Sequence, residues 1–424
     1  MLPLRIFICV SVYLRLGTIR GSHPLSIERL FEPAEIGPLT IKNRFIRAAT
    51  AESMSRPDGS ITENYINLYL DIARGGAGLI LTGQMYVHSR GRGGHYHAGI
   101  HHDGVIRPFQ HFTERVHDAG GVIFGELGHA GSQSRVPSVL PMAPSPVANI
   151  ISSRQPVEAN ENEIWEAIEA FGHGARRLRE AGFDGVHIHA GHGYLISEFG
   201  SPYANRRNDD WGGDRERRSR FALEVYRAVR RQVGGDFPVT FKLGMADSMG
   251  EGGLTIDESV QRAAQLEAEG LDALEVSVGV IHALTKSADT FIGVSLERAL
   301  QDMVIHRLWS PAGDEGYFRS HARAAKKALK RIPIILVGGI RRTETMVDIL
   351  NSGDADFISM SRPFIREPDL PNKIRAGKRG PVDCVSCNVC LAHDGQEPTQ
   401  CWRTDKRMLL RHAWWLLRRG ATKH

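Results

Sequence analysis

Cysteine is scarce and unevenly placed in this chain. Of five in 424 residues, Cys9 lies near the start and Cys384, Cys387, Cys390 and Cys401 crowd toward the end. That spacing excludes a disulfide-stapled scaffold and suits a reducing, cytoplasmic compartment. Long apolar runs are missing too. The longest candidate, Ile6 to Leu14, is closed by Arg15, well short of the roughly 20 residues a membrane helix needs. Residues 1–29 have the arginine and apolar run of a signal peptide but no small-x-small cleavage site, so they read as an N-terminal extension. Charge of one sign is absent from the body. The net +5 comes from the ends: residues 402–424 hold seven Lys/Arg against Asp405, and the first 29 hold four Arg against Glu28, which leaves the middle at −4. A mildly acidic body excludes a nucleic-acid-binding surface. No low-complexity linker divides residues 30–375.

What fills that span is alternation. Eight short apolar runs, at 44–50, 78–84, 121–127, 185–190, 238–244, 273–279, 332–339 and 356–362, are each followed by an amphipathic stretch. Apolar strands joined by crossover helices predict a parallel sheet buried on both faces. Eight such units fit an α/β fold of the (β/α)8 TIM-barrel type over residues 30–376, with a long insertion after strand six (280–316) and a short Cys-containing extension at 377–424. A doubly wound open sheet is the structural alternative.

In a barrel the chemistry gathers at the C-terminal ends of the strands. There the chain places "HIHAGHGYL" (187–195), with three histidines and a tyrosine at the top of strand four. A H-x-H at a strand end also opens the site of some metal-dependent hydrolases, since imidazoles suit zinc. No further well-placed His or Asp stands at the ends of strands five to eight, and that reading leaves Tyr194 without a role. His187 reads as a hydrogen-bonded interior histidine.

Five segments, "LFEPAEIGPLTIKNRF", "ELGHAG", "HIHAGHGYLISEFGSPYANRRNDDWGG", "LVGGI" and "SRPFIREP", together resemble the old yellow enzyme family of FMN-dependent oxidoreductases, from about Leu30 to Ile374. The resemblance implies FMN over the barrel mouth, NAD(P)H as reductant and a small-molecule acceptor such as an α,β-unsaturated carbonyl. It also implies roles for particular residues. His189 and His192 are the ligand-binding pair, and Tyr194 is the proton donor. Lys242 lies beside the flavin's N1–C2=O region. Gly338, Gly339, Ser361 and Arg362 hold the phosphate, and the backbone of Ala49, Thr50, Ala51 and Gly83 approaches the ring. The chemistry agrees with these types. Imidazole donors stabilise a developing oxyanion, a phenol can protonate carbon, and a cation near N1 favours the reduced flavin.

Two departures stand out. Glu126 replaces the family's usual glutamine against the flavin. It accepts from flavin N3–H when ionised but then donates nothing. Ala51 stands where a Cys or Thr is common. The run C-x2-C-x2-C-x10-C (Cys384, Cys387, Cys390, Cys401) resembles the iron–sulfur segment of the trimethylamine dehydrogenase and 2,4-dienoyl-CoA reductase families, which implies a [4Fe-4S] cluster; four thiolates would also take zinc. No G-x-G-x-x-G follows Cys401. An electron-transfer or dehydrogenase subunit working with FMN, the cluster and a separate partner is therefore the second functional reading, beside a homo-oligomeric reductase. The tail "KRMLLRHAWWLLRRG" reads as a basic helix that packs on the barrel or touches a membrane surface.

Overall fold

The computed structural model describes residues 26–148, 154–248, 251–280, 315–387, 389–392, 397–404, 407, 408, 410–412 and 414. The expectations for the leader up to residue 25, for insertion residues 281–314 and for most of the basic tail lie outside them.

Eight parallel strands close on themselves. In chain order they are β1 (Phe45–Arg47), β2 (Leu79–Leu81), β3 (Ile123–Gly128), β4 (Gly185–Ala190), β5 (Val239–Gly244), β6 (Ala273–Ser277), β7 (Ile334–Val337) and β8 (Phe357–Met360). Each pairs with its neighbours, and β8 returns to β1 through Ile358↔Phe45 and Met360↔Arg47. Closure settles the choice between barrel and open sheet. β4 fills its apolar run, and most of the other strands are shorter than theirs at one or both ends.

The outer ring follows the expected order: α1 (Glu63–Arg74), α2 (Ile106–Asp118), α3 (Glu161–Glu180), α4 (Arg215–Val233), α5 (Ile256–Ala268), α6 (Arg319–Ala328), α7 (Thr343–Asn351), then α8 (Arg362–Arg366) and α9 (Leu370–Arg375). Local chemistry starts these helices. Asn160 and Glu163 form a reciprocal capping box on α3, and Thr62, Asp214 and Thr255 accept from backbone N–H groups three residues on. Ile164, Ile168, Phe171, Ala175 and Leu178 of α3 recur at helical spacing and are buried.

A hairpin not anticipated from the sequence, Ala34–Ile36 paired with Leu39–Ile41, plugs the lower end. Its Ile36 and Ile41 join Ile46, Leu79, Leu81, Phe124, Ala273, Ile335 and Phe357 in a closed apolar cluster inside the barrel. Gly37 makes the turn at φ +55°, and a Cβ there would stand 2.5 Å from the Asp272 carboxylate.

Strand alternation then fixes the interior. Where Phe124 and Ala273 point in, so do Glu126 and Glu275 two residues on, while Leu127 and Leu274 join the cluster packed under the helices. The barrel is thus apolar below and charged above.

Candidate active site

The charged layer is a buried network. Lys242 Nζ donates to Glu126 Oε2 at 2.7 Å and lies 3.3 Å from Glu275 Oε2. Ser359 Oγ donates to Glu275 Oε1 at 2.6 Å. His187 places Nε2 3.2 Å from Glu275 Oε2 and 3.6 Å from Glu126 Oε2, with Nδ1 2.7 Å from Thr240 Oγ1. Glu126, His187, Lys242 and Glu275 are all at most 3% exposed. Burial alone pushes the Lys242 ammonium down, but Glu126 and Glu275 outweigh it and the net shift is upward. Burial likewise pushes the Glu275 carboxyl up. Lys242, with donors from His187 and Ser359, overcomes this and brings it to about 2. Glu126 is therefore engaged by Lys242, and Lys242 shares its charge with two carboxylates.

Above the network, β4 carries His189 next to its last residue, Ala190, and the chain then reverses. His192 at φ +56° and Gly193 at φ +72° are both left-handed. Two such residues in succession turn the chain back over the strand. Gln133 Nε2 pins the turn by donating to the carbonyls of His192 and Gly193 at 2.5 and 2.7 Å. As a result the Tyr194 ring rests on His189 at 4.7 Å between centroids. His189 Nε2 lies 3.1 Å from His192 Nδ1, and His192 Nε2 lies 2.9 Å from Ser277 Oγ. Burial, then the neighbouring charges of His192, Lys242 and His187, hold the His189 imidazolium well below its usual range. Burial and Lys242 hold His192 at about 3. Both rings are neutral near pH 7, as hydrogen-bond donors rather than cations.

Beside this turn a cavity of about 230 Å³ opens at the barrel mouth. It brings together Ala49, Thr50, Ala51, His192, Lys242, Gly338, Gly339, Ser361 and Arg362 of the sequence-derived set. Gly338 (φ +123°) and Gly339 (φ +71°) form the turn after β7, where a Cβ on Gly338 would stand 2.7 Å from the Tyr317 ring. Thr50 Oγ1 and Ser361 Oγ are 2.7 Å apart, and Arg362 hydrogen-bonds the Tyr317 hydroxyl. Small residues after β1, a left-handed glycine turn and two nearby guanidiniums, Arg341 and Arg362, make a slot for a flat ligand bearing a phosphate.

Gly83, Glu126, His189 and Tyr194 stand outside that lining. The Gly83 N–H is already engaged, by Glu52 Oε1 at 2.6 Å and Tyr69 Oη at 2.9 Å. Sequence reasoning missed Ser277, Tyr317, Arg341, Ser386 and Thr399, which do line the cavity. Only Ser277, as a strand-end residue, carried a signal. Arg341 directly follows the "LVGGI" segment, whereas Tyr317, Ser386 and Thr399 arrive on segments whose path no local pattern discloses.

Thr399 shows why. Its N–H donates to the Glu52 carbonyl at 2.8 Å and its hydroxyl to the Ala51 carbonyl at 2.7 Å, so the C-terminal segment is tied back across the mouth. This brings Cys384, Cys387, Cys390 and Cys401 around one smaller cavity with Arg362, Ile365 and Trp402. Cys390, Arg362 and Ile365 line both cavities. Burial raises the Cys384 thiol and pushes the Cys390 thiol up to about 12. Among the described residues no three His, Cys, Asp or Glu side chains are grouped to hold a single metal ion. Neither His189 with His192 nor the four cysteines make such a group.

Comparison with known proteins agrees with this geometry. The family model described as NADH:flavin oxidoreductase / NADH oxidase matches residues 29–380. The chain is 35% identical over 365 residues to the NADH oxidase of Thermoanaerobacter brockii, covering 85% of this chain and 53% of that one. It is 33% identical over 388 residues to the 4,4'-dithiodibutanoate disulfide reductase of Rhodococcus erythropolis, covering 85% of this chain and 92% of the other. The solved complex of a 2-naphthoyl-CoA reductase with 2-naphthoyl-CoA superposes with a TM-score of 0.79 at 25% identity, covering 91% of this chain and 58% of that one. The chain thus spans about half the length of the first of these relatives and nearly all of the second.

Proposed function

The chain belongs to the NADH:flavin oxidoreductase / NADH oxidase family, and from that premise we propose that it binds FMN in the barrel-mouth cavity and reduces an alkene conjugated with a carbonyl, using NADH or NADPH. The observation that carries this reading is the cavity itself. Lys242 and His192 stand in one wall and the Gly338–Gly339 turn, Ser361 and Arg362 in another. Bound FMN would supply the hydride step between the nicotinamide and the acceptor. The residues of the chain do the rest. Gly338, Gly339, Ser361, Arg362 and Arg341 hold the phosphate. Ala49, Thr50 and Ala51 are small enough to admit a ring, and Lys242 places its ammonium at the polar edge. His189 and His192 offer neutral N–H donors to the carbonyl oxygen, where negative charge develops as hydride reaches the β-carbon. Tyr194 donates its hydroxyl proton to the α-carbon. The naphthoyl ring of the 2-naphthoyl-CoA bound by the structural relative is likewise conjugated with a carbonyl.

One spectrum tests this. The purified protein should show flavin absorbance that bleaches with NADH or NADPH and recovers when an enone is added. A colourless protein carrying zinc would sink the proposal.

A second reading rests on Cys390, which lines both the mouth cavity and the cysteine cavity. Four thiolates around one space suit a [4Fe-4S] cluster, and a shared wall would let electrons pass between flavin and cluster to a partner. Iron and sulfide in equal amounts, about four of each per chain, would support it. Their absence after anaerobic purification would reject it.

A further inference from the structure

His187 is the histidine that neither the substrate site nor the cavity uses. It is fully buried beneath Lys242, 0% exposed. Every polar group around it is accounted for. From β5 come Thr240 and Lys242, from β6 Glu275, and from β3 Glu126; His189 stands above on its own strand, and Ser359 of β8 holds the far oxygen of Glu275. Arg47, the last residue of β1, and Glu52, in the loop after it, are the next charges out.

The hydrogen bonds around His187 can be completed in two ways. Glu275 Oε2, an acceptor, faces Nε2 at 3.2 Å, so Nε2 carries a proton in either case. The other nitrogen faces Thr240 Oγ1 at 2.7 Å, and that hydroxyl also lies 3.1 Å from the Val186 carbonyl. With the hydroxyl donating to Nδ1, the imidazole is neutral. With the hydroxyl turned onto Val186, Nδ1–H donates to Oγ1 and the ring is a cation. Neither state leaves a buried donor without an acceptor, so a proton is added by rotating one O–H.

The charge count makes the second state useful. Lys242, Glu126 and Glu275 sum to one negative charge when both carboxylates are ionised. A protonated His187 brings the set to zero. The chain of contacts from His187 through Glu275 to Lys242, 3.2 Å and then 3.3 Å, ends in the cavity wall.

We propose that His187 is a redox-linked proton store: it takes up one solvent proton at Nδ1 when the ligand against Lys242 gains negative charge, and releases it when that charge leaves. This rests on the flavin reading of the cavity above. The balance is simple. NAD(P)H gives up hydride, two electrons and a proton, to the flavin and becomes NAD(P)+, which leaves the bound flavin one negative charge richer. One further proton enters from water onto His187. When hydride passes on to the acceptor, the charge and the stored proton both leave. His187 forms no bond to substrate and acts as a positioning residue through Glu275 and Lys242.

The test is potentiometric titration of the holoprotein from about pH 6 to 9, reading the flavin midpoint potential. Each proton taken up with the electron pair adds about 30 mV per pH unit. The wild type should fall by about 60 mV per pH unit, counting the hydride proton and the stored one. His187→Gln keeps a donor toward Glu275 but cannot be charged, and its slope should drop to about 30 mV per pH unit. Thr240→Val, which removes the rotating hydroxyl, should shift the slope the same way and serves if the first variant folds poorly. A merely structural histidine would move the potential without moving its slope. Flavin bound and slopes equal in wild type and both variants would overturn the proton store alone. A protein that binds no flavin would overturn the reading of the cavity with it.

Discussion

His189 and His192 are hydrogen-bonded to each other, Nε2 to Nδ1 at 3.1 Å, and their protons can be assigned. The Gly191 N–H points at His189 Nδ1 from 3.4 Å, which makes Nδ1 the acceptor and Nε2 the donor. His192 Nδ1 then accepts, and its Nε2–H donates to Ser277 Oγ at 2.9 Å. The pair thus forms a one-way chain of neutral donors ending on a hydroxyl in the cavity wall. The two rings expected to converge on a substrate oxygen are, in this structure, engaged with one another. A substrate carbonyl must draw His192 away from Ser277 or accept from Ser277 itself.

Ser277→Ala follows directly. It removes the acceptor that orients His192 Nε2–H, and losing one buried partner costs about 1–3 kcal/mol. Acceptor turnover should fall roughly 5- to 160-fold by that figure, with FMN content unchanged. Steady-state rates with an enone beside the flavin-to-protein ratio check it. If FMN is lost and turnover per bound flavin is kept, Ser277 holds the cofactor rather than the histidine.

Tyr194→Phe separates the two half-reactions. The phenol ring lies tilted against His189 and is assigned only the proton delivered to carbon. The variant should keep its rate of bleaching by NADH or NADPH and lose about 10²- to 10⁴-fold in reoxidation by an enone. Stopped-flow measurement of each step would find equal losses in both if the role is misassigned.

Acid and base should act on stability through different groups. Glu198, buried and accepting from Ser132, has its carboxyl pushed up to about 8 by desolvation, and Glu52 is raised to about 7. A raised carboxyl is protonated in the fold and ionised in the unfolded chain, so its contribution is complete below the unfolded value and lost as pH rises through the folded one. His192 and His129, both at about 3, and His101, at about 4, behave oppositely. They are neutral in the fold, and stability falls as pH drops below their unfolded value. Urea midpoints should therefore peak between roughly pH 4.5 and 6.5 and decline on both sides. Glu198→Gln should flatten the alkaline limb and leave the acid limb. An unchanged alkaline limb would show that Glu198 is ionised in the fold.

Much of this was readable beforehand, for physical reasons. Strands buried on both faces must be apolar runs, so the alternation of β1–β8 with helices shows in the sequence. His189, His192, Tyr194 and the Gly338–Gly339 turn could be placed at the barrel mouth because strand-end position and a motif coincide. The Lys242 network was not legible. Its contact with Glu126 spans 116 residues, and no spacing rule links side chains on separate strands of a barrel. The hairpin at 34–41 escaped notice because two three-residue strands carry too short an alternation to register. Thr399 reaches the cavity because the C-terminal segment folds back to the loop after β1.

Lys242 is where that network can be broken most informatively. Its ammonium separates Glu126 and Glu275, and all three side chains are at most 3% exposed. Removing the cation leaves two carboxylates in a dry interior, and breaking a buried pair in this way costs about 3–5 kcal/mol. Lys242→Met should lower the urea midpoint accordingly. It should also weaken FMN binding, because the cavity loses its positive edge. The double variant Lys242→Met, Glu126→Gln removes one of the stranded charges along with the cation. It should recover much of the stability and none of the FMN affinity. Chemical denaturation of the apoproteins and FMN titration by fluorescence quenching read the two effects separately. If the double variant is no more stable than the single one, the network is not held together by the charge balance described here.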